Sequence, residues 1–259
     1  MRSLPALFSA GCCALLLGGC AAAAEDEITV FAAASLHEVF EEIGELYTEE
    51  TGTKVRFNFA GSSGLVEQLE NGAPADVLAT ADEETMRGAA AEGLVSGEAE
   101  VFAENYLVIV TPAGNPSNVA SIESLEDNAV ETVICAAQVP CGAATARAAE
   151  AFGVQITPVS EETSVTDVLG RVRSGEADAG LVYNTDARQG VGEVETIEIE
   201  GAEMDPNRYP LTLLERADSP EAGQEFVDFV LNNQQARRVL AGAGFTEPQG
   251  SAMTWESVD

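Results

Sequence analysis

Positive charge is scarce in this chain. Its 259 residues carry 12 Lys and Arg against 44 Asp and Glu, a formal net charge of −32, and Lys54 is the only lysine. Such a balance repels nucleic acid and anionic membrane surfaces, so a nucleic-acid partner is not expected. The acidic residues are spread along the chain rather than gathered in a tail, as on a solvated face. Histidine is scarcer still: His37 stands alone. One imidazole cannot build a histidine-rich metal site, so no cation site is expected. It is also the only available triad base, and it lies two residues from Ser35, where side chains in a first helical turn point apart. Gly61-Ser-Ser-Gly64 lacks one residue of the G-x-S-x-G nucleophile elbow. Phosphate loops, dinucleotide fingerprints, EF-hand loops and H-E-x-x-H zinc motifs are missing as well. These absences leave catalysis few places, and the chain is read as a non-enzyme without a cofactor.

What is present belongs to a globular protein. Apolar residues make up 46% of the sequence, with no repeat or low-complexity tract, and the length suffices for one large domain or two small ones. The N-terminus is of another kind. Arg2 is the only charge before Glu25, and Leu4 to Leu17 is mostly apolar. That is the layout of a secretory signal, too short and glycine-broken for a comfortable spanning helix. It ends in Leu17-Gly-Gly-Cys20, which resembles the lipobox of bacterial lipoproteins. The resemblance implies a signal peptide over residues 1–19, with Cys20 acylated as the mature N-terminus and the protein lipid-anchored on the extracytoplasmic face of the membrane. A plain cleaved signal and an uncleaved anchor are the alternatives. Cys12 and Cys13 fall inside the signal, leaving Cys135 and Cys141. In an oxidising compartment these two bracket a short loop able to close a disulfide, whereas a metal site would need a second Cys or His pair.

The mature chain alternates strands and helices. Ile28–Phe31 is a β-branched and aromatic run, followed by Ala32-Ala-Ala-Ser35 and a helical pattern through Leu36, Val39, Phe40, Ile43 and Leu46. Ser35 is expected to cap that helix, with Glu38 completing a capping box. The same grammar recurs at Lys54–Phe59 before Ser62, at Val130–Cys135 before the Cys141 loop, and at Thr163–Asp167, where Ser164 and Asp167 form an acidic cap over Val165. Ala179–Tyr183 is a further strand, ending in a tyrosine and followed by Asn-Thr-Asp. Further strands are expected at residues 74–80, 106–110, 154–159, 193–200 and 209–214, and two closing helices at about 220–231 and 234–241. The pattern predicts an α/β protein with mostly parallel sheets flanked by helices. Thr111-Pro-Ala-Gly-Asn-Pro116 is, by composition, the best candidate for a lobe boundary. Two lobes are expected: residues 20–106 with 203–259, and residues 107–202. Ligands of open α/β sheets bind beyond the carboxyl ends of strands, where helix starts offer unpaired N–H groups. Ser35, Ser62, Cys141, Val165 and Tyr183 all fall at such places.

Six segments, in order, carry a family resemblance: Val30-Phe-Ala-Ala-Ala-Ser-Leu36, Phe59-Ala-Gly-Ser-Ser-Gly-Leu65, Gly72-Ala-Pro-Ala-Asp76, Ala79-Thr-Ala-Asp82, Val139-Pro-Cys-Gly142 and Gly180-Leu-Val-Tyr-Asn-Thr-Asp-Ala187. Together they resemble the molybdate-binding proteins of ABC transporters, the ModA family. The resemblance implies a two-lobed periplasmic-binding-protein fold of type II, with its ligand cleft between the lobes. It also implies a bound tetrahedral dianion, molybdate or tungstate, passed on to a membrane permease, with molybdenum present only as the oxyanion. Ser35 and Ser62 would each give a hydroxyl and a backbone N–H, Cys141 and Val165 a backbone N–H, and Tyr183 its phenol. A monomer is expected. Sulfate on the same fold is the nearest alternative; a secreted enzyme with Ser35 or Ser62 as nucleophile is a remote one.

Overall fold

The computed structural model describes residues 27–248, 250 and 253. The signal segment 1–19 and the acylation residue Cys20 lie outside the described residues. Two five-stranded sheets organise the chain. The first takes β1 (Glu27–Ala33), β2 (Lys54–Ala60), β3 (Val77–Ala79), β4 (Glu100–Asn105) and β10 (Asn207–Leu213), in the order β2-β1-β3-β10-β4. The second takes β5 (Leu107–Pro112), β6 (Thr132–Cys135), β7 (Ser160–Glu162), β8 (Ala179–Tyr183) and β9 (Val194–Glu198), in the order β7-β6-β8-β5-β9. Both sheets are mixed. β1 runs parallel to β2 and β3, and β6 runs parallel to β7 and β8. β10 and β5, which enter directly after the chain changes sheets, pair antiparallel on both sides.

Among the described residues the helices are α1 (His37–Thr51), α2 (Ser62–Glu70), α3 (Glu83–Ala91), α4 (Pro140–Phe152), α5 (Val165–Arg173), α6 (Asn184–Gln189), α7 (Pro220–Asn232) and α8 (Gln234–Ala243). Strand alternation divides the first sheet between two cores. Ile28, Val30 and Val77 share one with Phe40 and Tyr47 of α1 and Phe226 of α7. Phe31 and Leu78 face the other, with Leu65 of α2 and Met86 of α3. The Phe226 ring meets Phe40 and Tyr47 edge-on. Each such buried ring contributes roughly 1.5–3 kcal/mol by leaving water, which seats the C-terminal helices on the first sheet. In the second sheet Gly180 permits the close approach of α5: a Cβ there would lie 2.8 Å from Val168 Cγ1 and 2.9 Å from Val172 Cγ2.

Several sequence expectations are corrected. Ser35 does not cap α1. A 3₁₀ turn, Ala34–Leu36, starts one turn early, Ala33 stands at its cap without a side-chain bond, and Leu36 precedes α1. The Pro/Gly/Asn cluster at 111–116 is not where the chain changes sheets. That change falls at Asn105–Leu107, between two strands joined with a single intervening residue. The apolar run 154–159 contains Pro158 and is irregular, with the short edge strand β7 beginning only after it. β4 and the six-residue α6 were not expected at all. Among the described residues no helix is long and apolar enough to cross a membrane.

Candidate functional site

Five chain junctions converge on one cavity. The β1 end brings Ser35, the start of α2 brings Ser62, the start of α4 brings Cys141, the start of α5 brings Val165, and the β8 end brings Tyr183. All five residues are at most 4% exposed. The space open to oxygen-sized atom centres is about 20 Å³. None of the residues lining the cavity carries a charged side chain. Both sheets contribute to it, so it lies between the two halves of the fold.

The local reasons for these placements differ. Gly61, the N-cap of α2, has an ordinary φ of −59°, so its need for glycine is space rather than conformation. A Cβ on Gly61 would lie 2.2 Å from the Thr163 carbonyl oxygen across the cleft. Gly142 answers the same need beside Cys141, where a Cβ would lie 1.9 Å from the Ala136 carbonyl oxygen. Cys141 follows Pro140, a residue suited to a first helical turn, and forms a disulfide with Cys135 at a Cα–Cα distance of 5.6 Å. Ser164 caps α5 by accepting from the Asp167 N–H at 3.2 Å, leaving Val165 at the first helical position. The first N–H groups of α2, α4 and α5 have no intrahelical acceptor and form positive dipole ends.

The hydroxyls share one pattern. Ser62 Oγ accepts from the Ala81 N–H at 3.0 Å. Tyr183 Oη accepts from Asn207 Nδ2 at 2.7 Å. Ser35 Oγ lies 3.1 Å from Tyr209 Oη, and Tyr209 is approached in turn by Asn105 Nδ2 at 3.5 Å. When Tyr209 donates to Ser35, each of the three lining hydroxyls receives a proton from the protein behind it and keeps its own to give. Burial pushes the phenols of Tyr183 and Tyr209 well above 10, reinforced at Tyr183 by Tyr209, Asp82 and Asp186 and at Tyr209 by Asp186. Both therefore stay protonated at neutral pH. A cavity furnished with oriented donors and helix starts, without fixed charge, is suited to a buried anion. Burying such an anion without a full set of partners would be prohibitive.

Ser35, Ser62, Cys141, Val165 and Tyr183 line this cavity together, and the groups that orient their hydroxyls stand behind or beside them. Tyr209, Asn207 and Asn105 come from elements far along the chain, and nothing local marks them, whereas Ala81 lies in the Ala79-Thr-Ala-Asp82 segment. His37, set aside as a base, is exposed, with its ring edge-on to Phe59 at 4.6 Å. Among the described residues no group of His, Cys, Asp and Glu is arranged to hold a metal ion.

The model of the family described as bacterial extracellular solute-binding protein matches residues 28–246. A molybdate-binding protein ModA of Mycobacterium tuberculosis H37Rv is 44% identical over 222 residues, covering 85% of each chain. The ModA of Escherichia coli K12 is 30% identical over 252 residues, covering 93% of this chain and 96% of its own. Among solved structures, the periplasmic molybdate-binding protein of Azotobacter vinelandii superposes with a TM-score of 0.74 at 20% identity, covering 86% of this chain and all of that one.

Proposed function

Since the chain belongs to the bacterial extracellular solute-binding proteins and, among them, to the ModA family, we propose that it captures molybdate outside the cytoplasm and delivers it to an ABC transporter permease. It is a binding component, not an enzyme. The observation that carries the reading is the uncharged, donor-lined cavity between the two halves. In this proposal Ser35 and Ser62 donate through hydroxyl and backbone N–H, Cys141 and Val165 through backbone N–H, and Tyr183 through its phenol. The two lobes, residues 20–106 with 203–259 and residues 107–202, close on the oxyanion. Donors without fixed cations favour a fully deprotonated dianion over hydrogen phosphate, whose own proton would meet donor protons. Tungstate, alike in charge and shape, is the second expected ligand; sulfate is smaller and is rejected by cavity size. The protein acts as a monomer, tethered to the outer face of the membrane through acylated Cys20.

Calorimetric titration with molybdate, tungstate, sulfate and phosphate tests the specificity. Tight binding of the first two, with sulfate and phosphate far weaker, is expected. Sulfate binding more tightly than molybdate would overturn it. Mass spectrometry of the mature protein should find an N-terminal diacylated or triacylated Cys20.

A further inference from the structure

We infer that Arg147 and Asn207 form a positioning relay that fixes the Tyr183 phenol as a donor into the cavity. The inference rests on the oxyanion reading above and extends it to residues behind the cavity wall. Asn207 is 3% exposed and opens β10; Arg147 stands on α4, the helix whose start carries Cys141. Arg147 Nη2 donates to Asn207 Oδ1 at 2.7 Å, while its Nε donates to Asp205 Oδ2 at 3.0 Å. A guanidinium only donates, so the amide oxygen of Asn207 must face Arg147. The amide nitrogen then turns the other way and gives its two hydrogens to Ala81 O at 3.0 Å and Tyr183 Oη at 2.7 Å. With that lone pair occupied, the Tyr183 hydroxyl hydrogen is directed away from Asn207, toward the cavity that Tyr183 lines.

The relay also answers an electrostatic question. No cationic side chain lines the cavity, yet a dianion is expected there. Arg147 sits two hydrogen bonds from the phenol proton, and its charge polarises the amide and the phenol in the direction that strengthens donation to an anion. The cation stays partly in water, its side chain 43% exposed, so its own desolvation remains small. The same four groups tie the Ala81 loop of the first half to Tyr183 and Arg147 of the second. Any opening that separates Ala81 from Tyr183 must break one of the two bonds made by the Asn207 amide nitrogen.

The test is molybdate titration of the full mature chain and four single variants: Asn207→Asp, Tyr183→Phe, Arg147→Met and Arg147→Lys. The double variant Asn207→Asp/Tyr183→Phe completes the set. Asn207→Asp keeps the size but turns the amide donor into an acceptor, which draws the phenol proton away from the cavity. Loss of one hydrogen bond to a charged ligand should weaken binding about 10- to 100-fold in Asn207→Asp and in Tyr183→Phe. Because both act on the same bond, the double variant should bind within about threefold of Asn207→Asp alone. A through-space charge effect would instead persist in full when Tyr183 is Phe. Arg147→Met, on the surface, frees the amide to flip and should cost about fivefold, whereas Arg147→Lys should stay within about twofold of the parent. Should Asn207→Asp not unfold cooperatively, the two Arg147 variants decide.

The relay is overturned if Arg147→Met binds as the parent does, or if the Asn207 and Tyr183 losses simply multiply. If the parent chain itself does not bind molybdate, the oxyanion reading fails first and the relay falls with it.

Discussion

At the residue scale, Ser62 and Asp186 show how the site's polar groups divide between ligand and fold. Ser62 Oγ accepts from the Ala81 N–H, so Ser62→Ala removes a cavity donor and also strands a buried backbone N–H. Molybdate affinity should fall about 10- to 100-fold by calorimetry, with about 1–3 kcal/mol lost from stability in denaturant. Retained affinity would remove Ser62 from the ligand set. Asp186 is buried, and that burial, opposed by the N–H groups of Tyr183 and of Asp186 itself, pushes its carboxyl up to about 7 from 3.8. Unfolded, the carboxyl loses its proton near 3.8; folded, it keeps the proton to about 7. Across that window the unfolded state binds fewer protons, so this group's contribution to stability falls as pH rises from about 4 to about 7 and is level above. Asp186→Asn still offers an oxygen to the Tyr183 N–H, 3.1 Å away in the parent, but cannot ionise. Its stability relative to the parent should therefore improve by a few kcal/mol between pH 5 and pH 8, read from urea midpoints. An unchanged difference between the two pH values would refute the assignment.

At the element scale, the starts of α2 and α5 face each other across the cleft, and Gly61 is a place where the two halves approach closely. Gly61→Ala suits its backbone, yet the new Cβ would meet the Thr163 carbonyl at 2.2 Å and hold the α2 and α5 starts apart. The expected result is affinity reduced more than about tenfold with the thermal midpoint of the ligand-free protein little changed, because the clash opposes closure rather than folding. Small-angle scattering should find less compaction with molybdate than in the parent; equal compaction would show that closure tolerates the methyl. The Cys135–Cys141 disulfide closes a short loop, with a sequence separation of 6, and the loop-entropy relation gives it about 2 kcal/mol. Cys135→Ser/Cys141→Ser should lose that much stability, while affinity changes little, since Cys141 is proposed to serve through its backbone. These junctions were legible in the sequence because a strand end, a small residue and a helix start are adjacent in the chain. Ser35 as a cap was misread because Ala34 already begins a 3₁₀ turn, which frees Ser35 Oγ for Tyr209, 174 residues away. β4 escaped notice because Glu104 and Asn105 break its apolar pattern, although both are buried. Asn105 is kept there by Thr185 across the change of sheets, and Glu104 lies near Arg208. Such partners exist only once the fold has brought them together.

At the scale of the whole molecule, a net charge of −32 sets the protein against its proposed cargo and against its own compactness. Twelve cations cannot neutralise 44 carboxylates, and exposed ion pairs such as Arg171 with Glu162 and Glu176 are each worth little. Mutual repulsion among the remaining carboxylates therefore outweighs what salt removes from the pairs. Raising NaCl from about 10 mM to about 1 M shortens the screening length from about 30 Å to about 3 Å, so the thermal midpoint should rise. The same field meets an arriving molybdate dianion before any cage donor does. Association should accelerate severalfold over that range, the reverse of a steered encounter, whose rate falls with salt. Dissociation is governed by fixed dipoles inside a buried cavity, which salt screens far less, so its rate should stay within about twofold. Affinity would then improve with salt through the association rate alone. Stopped-flow mixing at both ionic strengths measures the two rates separately. An association rate that falls with added salt would mean that the helix starts project a positive potential through the acidic surface. The uncharged cage would then also steer its ligand.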